Sequence, residues 1–235
     1  MGVTVAIHQP NYIPWMGYFY KMAKSDVFVL LDNVQFPKES PAARNQIKGK
    51  NGEAVMLSVS VKKSQGAFQT YRELGLEYQT KWHHKHLNQM RDAYARSPFF
   101  KPVFAELEPL LKPQYSNLAE LNIALIRWMV SKLGLKTRLE VASEHDDGTW
   151  GTRNDRNASI CRFFGGTRYL SGSGARKYND EAVFGALDIE LAYSNFTHPV
   201  YEQINGPFIP NLSLLDAFFN LGFEETQHLF AAHTE

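Results

Sequence analysis

The chain has 235 residues, 44% of them hydrophobic and 21% charged, and its 25 Lys and Arg against 24 Asp and Glu give a formal net charge of +1. This balance gives no electrostatic basis for bulk binding of nucleic acid or of a membrane surface. The single cysteine, Cys161, excludes an intramolecular disulfide. No apolar run approaches the about 18 residues of a membrane span, and the N-terminal segment does not resemble a secretory signal. We therefore expect a soluble, cytoplasmic protein.

The first third of the chain alternates between strand and helix patterns. Residues 3–7 predict a short strand, GYFYKMAKS predicts a helix from about residue 17, and the apolar run DVFVLLD is typical of a strand buried on both faces of a parallel sheet. Strand, helix and strand in this order predict a βαβ unit. RNQIK and EAVMLSVSV, joined by the turn-forming GKNG, predict a β-hairpin.

The middle of the chain is predicted to be helical, and the last third returns to alternation. Apolar residues recur at i, i+3 and i+4 in KWHHKHLNQMRDAYARS, PVFAELEPLLK and NLAELNIALIRWMVSKLG. TRLEVASE, RYLSG and DIELAYSNF then predict strands, separated by helices and followed by a C-terminal helix that breaks at Gly222. We predict one α/β domain over residues 1–235: a mostly parallel, open, Rossmann-like sheet with a β-hairpin and a helical insertion at about 81–134.

Four of the predicted strands end abruptly in polar residues. The exits are His8 and Gln9; Asp32, Asn33 and Gln35; Ser143 and Glu144; and Ser171 and Gly172. In an open α/β sheet the ligand crevice lies beyond the carboxyl ends of the strands. The pattern therefore predicts a binding site along this rim.

The loop HQPNYIPW after the first strand is unusually rich in polar and aromatic residues. The N-terminus of the following helix favours a phosphate or carboxylate, and the two prolines hold His8 and Gln9 toward a ligand. Tyr12 and Trp15 are candidates to stack on a base or sugar. The alternative is that both aromatics cover the sheet edge and that His8 bonds a backbone carbonyl.

Basic residues follow two of these exits. Lys38 and Arg44 could clamp a phosphate, with Asn45 beside them, or they could belong to a solvated hairpin. SGSGARKY combines two glycines, which permit close backbone approach to an anion, with Arg176 and Lys177. This segment does not fit the GxGxxG or P-loop patterns.

Two further motifs contain residue types that can bind metal or act as nucleophiles, but their surroundings do not support either role. His83 and His86 in WHHKH have no nearby cysteine or acidic partner that would complete a metal site, so we predict no metal and a solvent-exposed helix face. Cys161 lies in ASICRFFGG without a local base, which favours buried packing over a nucleophilic role.

Several motifs together resemble the WbqC-like family of bacterial proteins. They are IHQPNYIPWMGYFYKM, DVFVLLDNVQFPK, ARNQI, YLSGSGARKY and NLSLLDAFFNLG, and the resemblance runs from about residue 4 to residue 223. It implies an association with O-antigen and other surface-polysaccharide biosynthesis, and group transfer onto an amino sugar. The family pattern points to His8, Gln9, Tyr12, Trp15, Asp32, Gln35, Arg44, Asn45, Ser171 and Tyr178, with Tyr201 and Asp216 in late motifs. We interpret Asp216 as a network anchor.

A weaker similarity of fold is to the nucleotidylyltransferase and pantoate–β-alanine ligase group. Those enzymes place a nucleotide over a histidine-bearing loop at the first helix N-terminus. This sequence lacks their HxGH signature, because Tyr18 stands where the second histidine would be. The nucleotidyltransferase-like version of the fold therefore remains an alternative.

The leading hypothesis is a transferase that moves an acyl or aminoacyl group onto an amino sugar or similar amine, with a sugar nucleotide as the small-molecule partner. His8 would act as the general base and Asp32 would orient it. Gln9, Gln35 and Asn45 would then fix polar groups of the substrate.

The remaining candidate binding residues complete this hypothesis, and two other functions stay open. The binding candidates are Tyr12, Trp15, Lys38, Arg44, Ser171, Gly172, Arg176, Lys177, Tyr178 and Tyr201. One alternative is nucleotidyl transfer or adenylate formation with a nucleoside triphosphate and Mg²⁺ as cofactor. The other is a non-catalytic module that binds a glycan or sugar nucleotide. The sequence leaves open a homo-oligomer.

Overall fold

The computed structural model describes residues 2–37, 41–62 and 68–234. The strands of this part of the chain are β1 (Val3–His8), β2 (Val27–Leu30), β3 (Arg44–Lys48), β4 (Ala54–Ser58), β5 (Arg138–Val141), β6 (Gly166–Gly172) and β7 (Glu190–Ser194). The α-helices are α1 (Met16–Ala23), α2 (Trp82–Tyr94), α3 (Phe100–Leu110), α4 (Leu118–Leu133), α5 (Arg153–Phe163), α6 (Glu181–Gly185) and α7 (Leu214–Thr234).

Five strands form one parallel sheet in the order β5-β2-β1-β6-β7. The chain starts in the centre with β1, builds outward through β2 and β5, and then returns to the other side of β1 for β6 and β7. This is the doubly wound arrangement, and its strand order reverses between β1 and β6. The predicted α/β class is confirmed, as is the hairpin, because β3 and β4 pair antiparallel in a separate sheet.

Alternate residues of the central strands pack into cores on opposite faces of the sheet. Ala6 and Phe28 belong to the core shared with α1, α7 and the helices α2 to α4. Val5 and Val29 belong to the core shared with α5 and α6. Cys161 lies in this second core, and burial raises the pKa of its thiol to about 12, in keeping with a packing role.

The helical segment α2 to α4 lies between β4 and β5, where the periodicity predicts it. α4 ends at Gly134, whose positive φ of 63° forms a left-handed cap. The predicted break at Gly222 is present inside α7: its φ is 80°, and a Cβ there would lie 2.7 Å from the Phe99 ring. Among the helices of the described residues, none has the length and apolarity to cross a bilayer.

Candidate functional site

A cavity of about 460 Å³ opens at the point where the strand order reverses. We call it the switch-point cavity. Its floor and walls include His8 and Gln9 from the end of β1, and Ser171 and Gly172 from the end of β6. The volume lies within the range of small-molecule binding sites. The structure therefore brings together two of the four polar strand exits at the place where doubly wound proteins bind ligands.

His8 is held in one orientation by the backbone of the first loop. Its Nδ1 lies 3.1 Å from the carbonyl oxygen of Gln9, which also accepts a hydrogen bond from the Tyr18 hydroxyl at 3.1 Å. Since a carbonyl oxygen can only accept, Nδ1 carries the hydrogen and Nε2 keeps its lone pair. In the described residues Nε2 has no hydrogen-bond partner. The alternative that His8 bonds a carbonyl is thus correct for one nitrogen only.

The environment keeps the His8 imidazole neutral. Burial lowers its pKa most and the charge of Lys21 lowers it further; the pKa is about 3 although the hydrogen bond to the Gln9 carbonyl raises it. At neutral pH the ring is therefore unprotonated and available as a proton acceptor.

Lys21 of α1 is a residue of this cavity that the sequence patterns did not single out. It is only 4% exposed and lines the cavity, and its Nζ donates to the carbonyl oxygen of Ile7 at 2.9 Å. Burial lowers its pKa to about 7. Its position between Tyr18 and Met22, on the apolar side of a short helix, is the sequence signal that could have identified it.

Trp15 and Phe196 form an aromatic wall of the switch-point cavity. Their ring centroids are 5.4 Å apart in an edge-to-face arrangement, and both residues line the cavity. The Trp15 indole also lies directly over Gly17, where a Cβ would be 2.4 Å from its nearest ring carbon. Glycine at position 17 therefore allows the indole to pack against the first turn of α1.

The β6 side of the cavity is polar and open. The side-chain amide of Asn179 donates to the Ser171 hydroxyl at 2.9 Å and to the Tyr193 hydroxyl at 3.3 Å. A Cβ at Gly172 or Gly174 would meet no atom within 4 Å. Packing of the protein itself therefore does not require glycine at either position, which is consistent with space reserved for a ligand.

The basic residues after this turn lie outside the cavity lining. The exposed Arg176 guanidinium stacks on the Tyr193 ring, 4.1 Å from its centroid. Lys177 lies over the ring of Tyr178, which is 70% exposed. These three residues directly follow the lining residue Ala175 in the sequence, but they are not part of the cavity lining.

Asp32 lies apart from His8. Its carboxylate accepts from the Ser143 amide at 3.0 Å and the Ser143 hydroxyl at 2.7 Å, and it pairs with Arg72 at 3.6 Å. Together with Ser143 and Glu144 it lines a second cavity of about 430 Å³ beyond β2 and β5. The predicted rim is thus divided into two cavities, and the predicted contact between Asp32 and His8 is not formed.

Asn45 supports the backbone of the first loop. Its Nδ2 donates to the carbonyl oxygen of Ile13 at 2.7 Å, while its Oδ1 accepts from the Gln46 amide at 2.8 Å. Ile13 has a φ of 37°, which is a strained conformation for a β-branched residue. The Asn45 side chain is therefore fully engaged in holding the loop rather than directed at a ligand.

Tyr12 and the histidine run are part of the core. Tyr12 is fully buried, and its hydroxyl is 2.9 Å from Nδ1 of His86. His83 and His86 are buried, so the prediction of a solvent-exposed face is wrong for these two; His84 is exposed. The described residues contain no group of three or more His, Cys, Asp or Glu arranged to hold a metal ion.

The other candidate residues lie away from the switch-point cavity or outside the described residues. Gln35 and Arg44 are exposed, Gln35 in an isolated bridge to Thr70 and Arg44 at the start of β3. Lys38 lies outside the described residues.

Tyr201 belongs to a buried network centred on Asp216. The hydroxyls of Tyr201 and Tyr94 donate to the two carboxylate oxygens of Asp216 at 2.8 Å and 2.7 Å. The side-chain amide of Asn220 donates to the Asp216 carbonyl at 2.8 Å. This arrangement agrees with Asp216 as a network anchor and gives Tyr201 the same structural role.

The fold defines a doubly wound α/β protein with a cavity of ligand size at its switch point. The chain belongs to the WbqC-like protein family, whose profile matches residues 9–228. It is 36% identical over 231 residues to the uncharacterized protein Rv1507c of Mycobacterium tuberculosis, and the match covers 96% of each chain. No solved structure gives a significant match to the chain. The resemblance stated from the motifs is confirmed.

Proposed function

We propose that this protein is a group transferase that acylates or aminoacylates the amine of a nucleotide-linked amino sugar. The products would serve surface-polysaccharide or related small-molecule biosynthesis in the cytoplasm. The single observation that carries the proposal is His8: it lines a ligand-sized cavity at the switch point, its Nδ1 bonds the Gln9 carbonyl, and its Nε2 has no hydrogen-bond partner in the described residues.

In the proposed reaction His8 transfers one proton. The amine nitrogen of the sugar attacks the carbonyl carbon of the acyl donor, and the carbonyl π electrons move to oxygen. The new N–C bond makes the nitrogen positively charged and acidic, so the neutral His8 can accept its proton although the pKa of the ring is low. The oxyanion then reforms the carbonyl, the donor's leaving group departs, and His8 returns the proton to it.

The rest of the cavity supplies positions for the two ends of the substrate. The wall of Trp15 and Phe196 offers an aromatic face for a base or a sugar. The first turn of α1, whose cap residue Trp15 makes no side-chain capping bond, lies beside the cavity, and the positive end of the helix dipole favours an anionic group there. Asn179 and Ser171 offer polar contacts for hydroxyl groups.

The proposal is tested by assaying product formation directly. The purified protein is incubated with amino-sugar nucleotides and with acyl-thioester or aminoacyl donors, and the products are measured by mass spectrometry. We expect His8→Ala to lower turnover by about 10²-fold while leaving the melting temperature of the protein close to that of wild type. The matched control is His228→Ala, which removes an exposed histidine of α7.

The alternatives give different products in the same assay. Pyrophosphate release that requires ATP and Mg²⁺ would indicate nucleotidyl transfer or adenylate formation instead. Saturable binding of a sugar nucleotide without any product would indicate a binding module. Equal turnover by wild type and a folded His8→Ala protein would contradict the role given to His8.

A further inference from the structure

The described lining of the switch-point cavity contains one lysine and lacks an acidic side chain that could balance its charge. Among the described residues that line it, Lys21 is present and no Asp or Glu occurs. The other titratable groups of the lining are His8, Tyr18 and Tyr169. All three are neutral at pH 7, since burial lowers the pKa of His8 far below 7 and raises the pKa of both tyrosines further above it. The charge of the protonated lysine is therefore uncompensated within the cavity.

The two buried lysines of the described residues, Lys48 and Lys21, differ in the number of hydrogen-bond acceptors around Nζ. Nζ of Lys48 donates to the carbonyl oxygens of Gly206 and Pro207, both at 2.7 Å, and lies 3.4 Å from Oε1 of Gln203. Nζ of Lys21 has one acceptor, the carbonyl oxygen of Ile7 at 2.9 Å, and no carboxylate within ion-pair distance in the described residues. An ammonium group has three N–H donors, so Lys21 retains N–H groups without a hydrogen-bond acceptor; its other contact is the ring of Phe28, whose centroid lies 5.5 Å from Nζ. Burial of a cation without a counter-ion costs free energy of folding, and an anion bound to Nζ would reduce that cost.

We propose that Lys21 is the anion-binding residue of the switch-point cavity, and that a phosphate or carboxylate group of the ligand binds its side-chain nitrogen as the missing counter-ion. The inference rests on the proposed function and deepens it, because in a sugar nucleotide this group is the diphosphate. Helical side chains lean toward the helix N-terminus, so Lys21 and the uncapped first turn of α1 favour an anion at the same end. The open space at Gly172 and Gly174 leaves room for it.

Binding of inorganic anions tests the proposal without knowledge of the substrate. Apparent dissociation constants for inorganic pyrophosphate and for malonate are measured by thermal shift at fixed ionic strength, for wild type and for Lys21→Met. Lys24→Met is the matched control, since it removes an exposed lysine next to the same helix. Preference for pyrophosphate indicates a phosphate ligand, and preference for malonate indicates a carboxylate.

We expect the anions to stabilise wild type and Lys24→Met saturably. The apparent dissociation constant for Lys21→Met should be at least tenfold higher. The malonate affinity of wild type should fall as pH rises above about 7, because the lysine must gain a proton to bind. Lys21→Arg should bind malonate with little dependence on pH between 7 and 9, since the guanidinium stays charged. This pH profile separates anion binding from a merely structural role.

Two results would overturn the inference: equal anion binding by Lys21→Met and wild type, or no anion binding by wild type at any of these pH values. The outcomes also separate this inference from the proposed function. Lys21-dependent anion binding in a protein without transferase activity upholds Lys21 and rejects the transferase. Turnover that depends on His8 but has an unchanged KM in Lys21→Met rejects Lys21 and upholds the transferase.

Discussion

The polar side chains around the first loop divide into those that face the cavity and those that hold the loop itself. His8 and Gln9 line the cavity, whereas Asn45 and Asn122 donate to backbone carbonyls of the loop. Buried carbonyl groups without a donor are costly, so a strained loop needs such partners. Composition could predict that this region is special, but it could not separate the two kinds of residue, because amides suit both tasks.

Lys21 is a cavity residue that the composition of the first loop could not reveal, because it lies in the helix that follows the loop. Lysine is rarely buried, so its place among the apolar residues of α1 is by itself a weak signal of burial. Only the packing of α1 against the sheet shows that this side chain is 4% exposed and directed at the cavity.

Replacing Lys21 should stabilise the protein in a pH-dependent way. Its pKa is about 7 in the folded chain and about 10.5 when unfolded, so burial of the charged form costs most at and below pH 7 and least above pH 10. The lost bond to Ile7 is independent of pH. The stability of Lys21→Met relative to wild type should therefore be about 3 kcal/mol higher at pH 6 than at pH 9. Urea unfolding at the two pH values measures this difference; equal values would contradict an ionised, buried Lys21.

At the scale of elements, the sequence predicted most of the helices and strands of the described chain. Periodic apolar residues mark α4, a continuous apolar run marks β2, and glycines mark the end of α4 at Gly134 and the break at Gly222. These signals are local, so they can be recognised without knowledge of the tertiary contacts. The burial of His83 and His86 was not predictable in this way, because it depends on Tyr12 and Trp82 packing against them.

The connection between β1 and α1 should depend on Asn45. Asn45→Ala removes the donor to the Ile13 carbonyl and should lower the free energy of unfolding by about 1–3 kcal/mol. Asn45→Asp should cost more, because it places a carboxylate oxygen against that carbonyl. The control is Asn88→Ala on the exposed face of α2, for which we expect a change within about 0.5 kcal/mol. Equal unfolding midpoints for Asn45→Ala and Asn88→Ala would show that the loop does not need this amide.

At the scale of the whole molecule, the strand order decides which polar exits share a site. The sequence predicted that polar residues follow the strands, and this is observed. It could not predict that β6 returns to the opposite side of β1, since pairing between distant parallel strands leaves no local pattern. That order joins the exits of β1 and β6 in one cavity and leaves Asp32 with Ser143 in another.

The proposed function requires that the ligand binds at the switch point between β1 and β6. Gly172→Val tests it sharply, because the backbone at φ −71° and ψ 145° accepts valine and no protein atom lies within 4 Å of a Cβ there. The matched variant is Ala124→Leu, which adds volume at the second cavity. The measurement is the melting temperature of the three proteins with and without saturating sugar nucleotide.

We predict that all three proteins melt at similar temperatures without ligand. Sugar nucleotide at about 100 times its dissociation constant should add roughly 2.7 kcal/mol of apparent stability to wild type and to Ala124→Leu, and should add little to Gly172→Val. A shift that persists in Gly172→Val and disappears in Ala124→Leu would place the ligand in the cavity beside Asp32 and contradict the switch-point site.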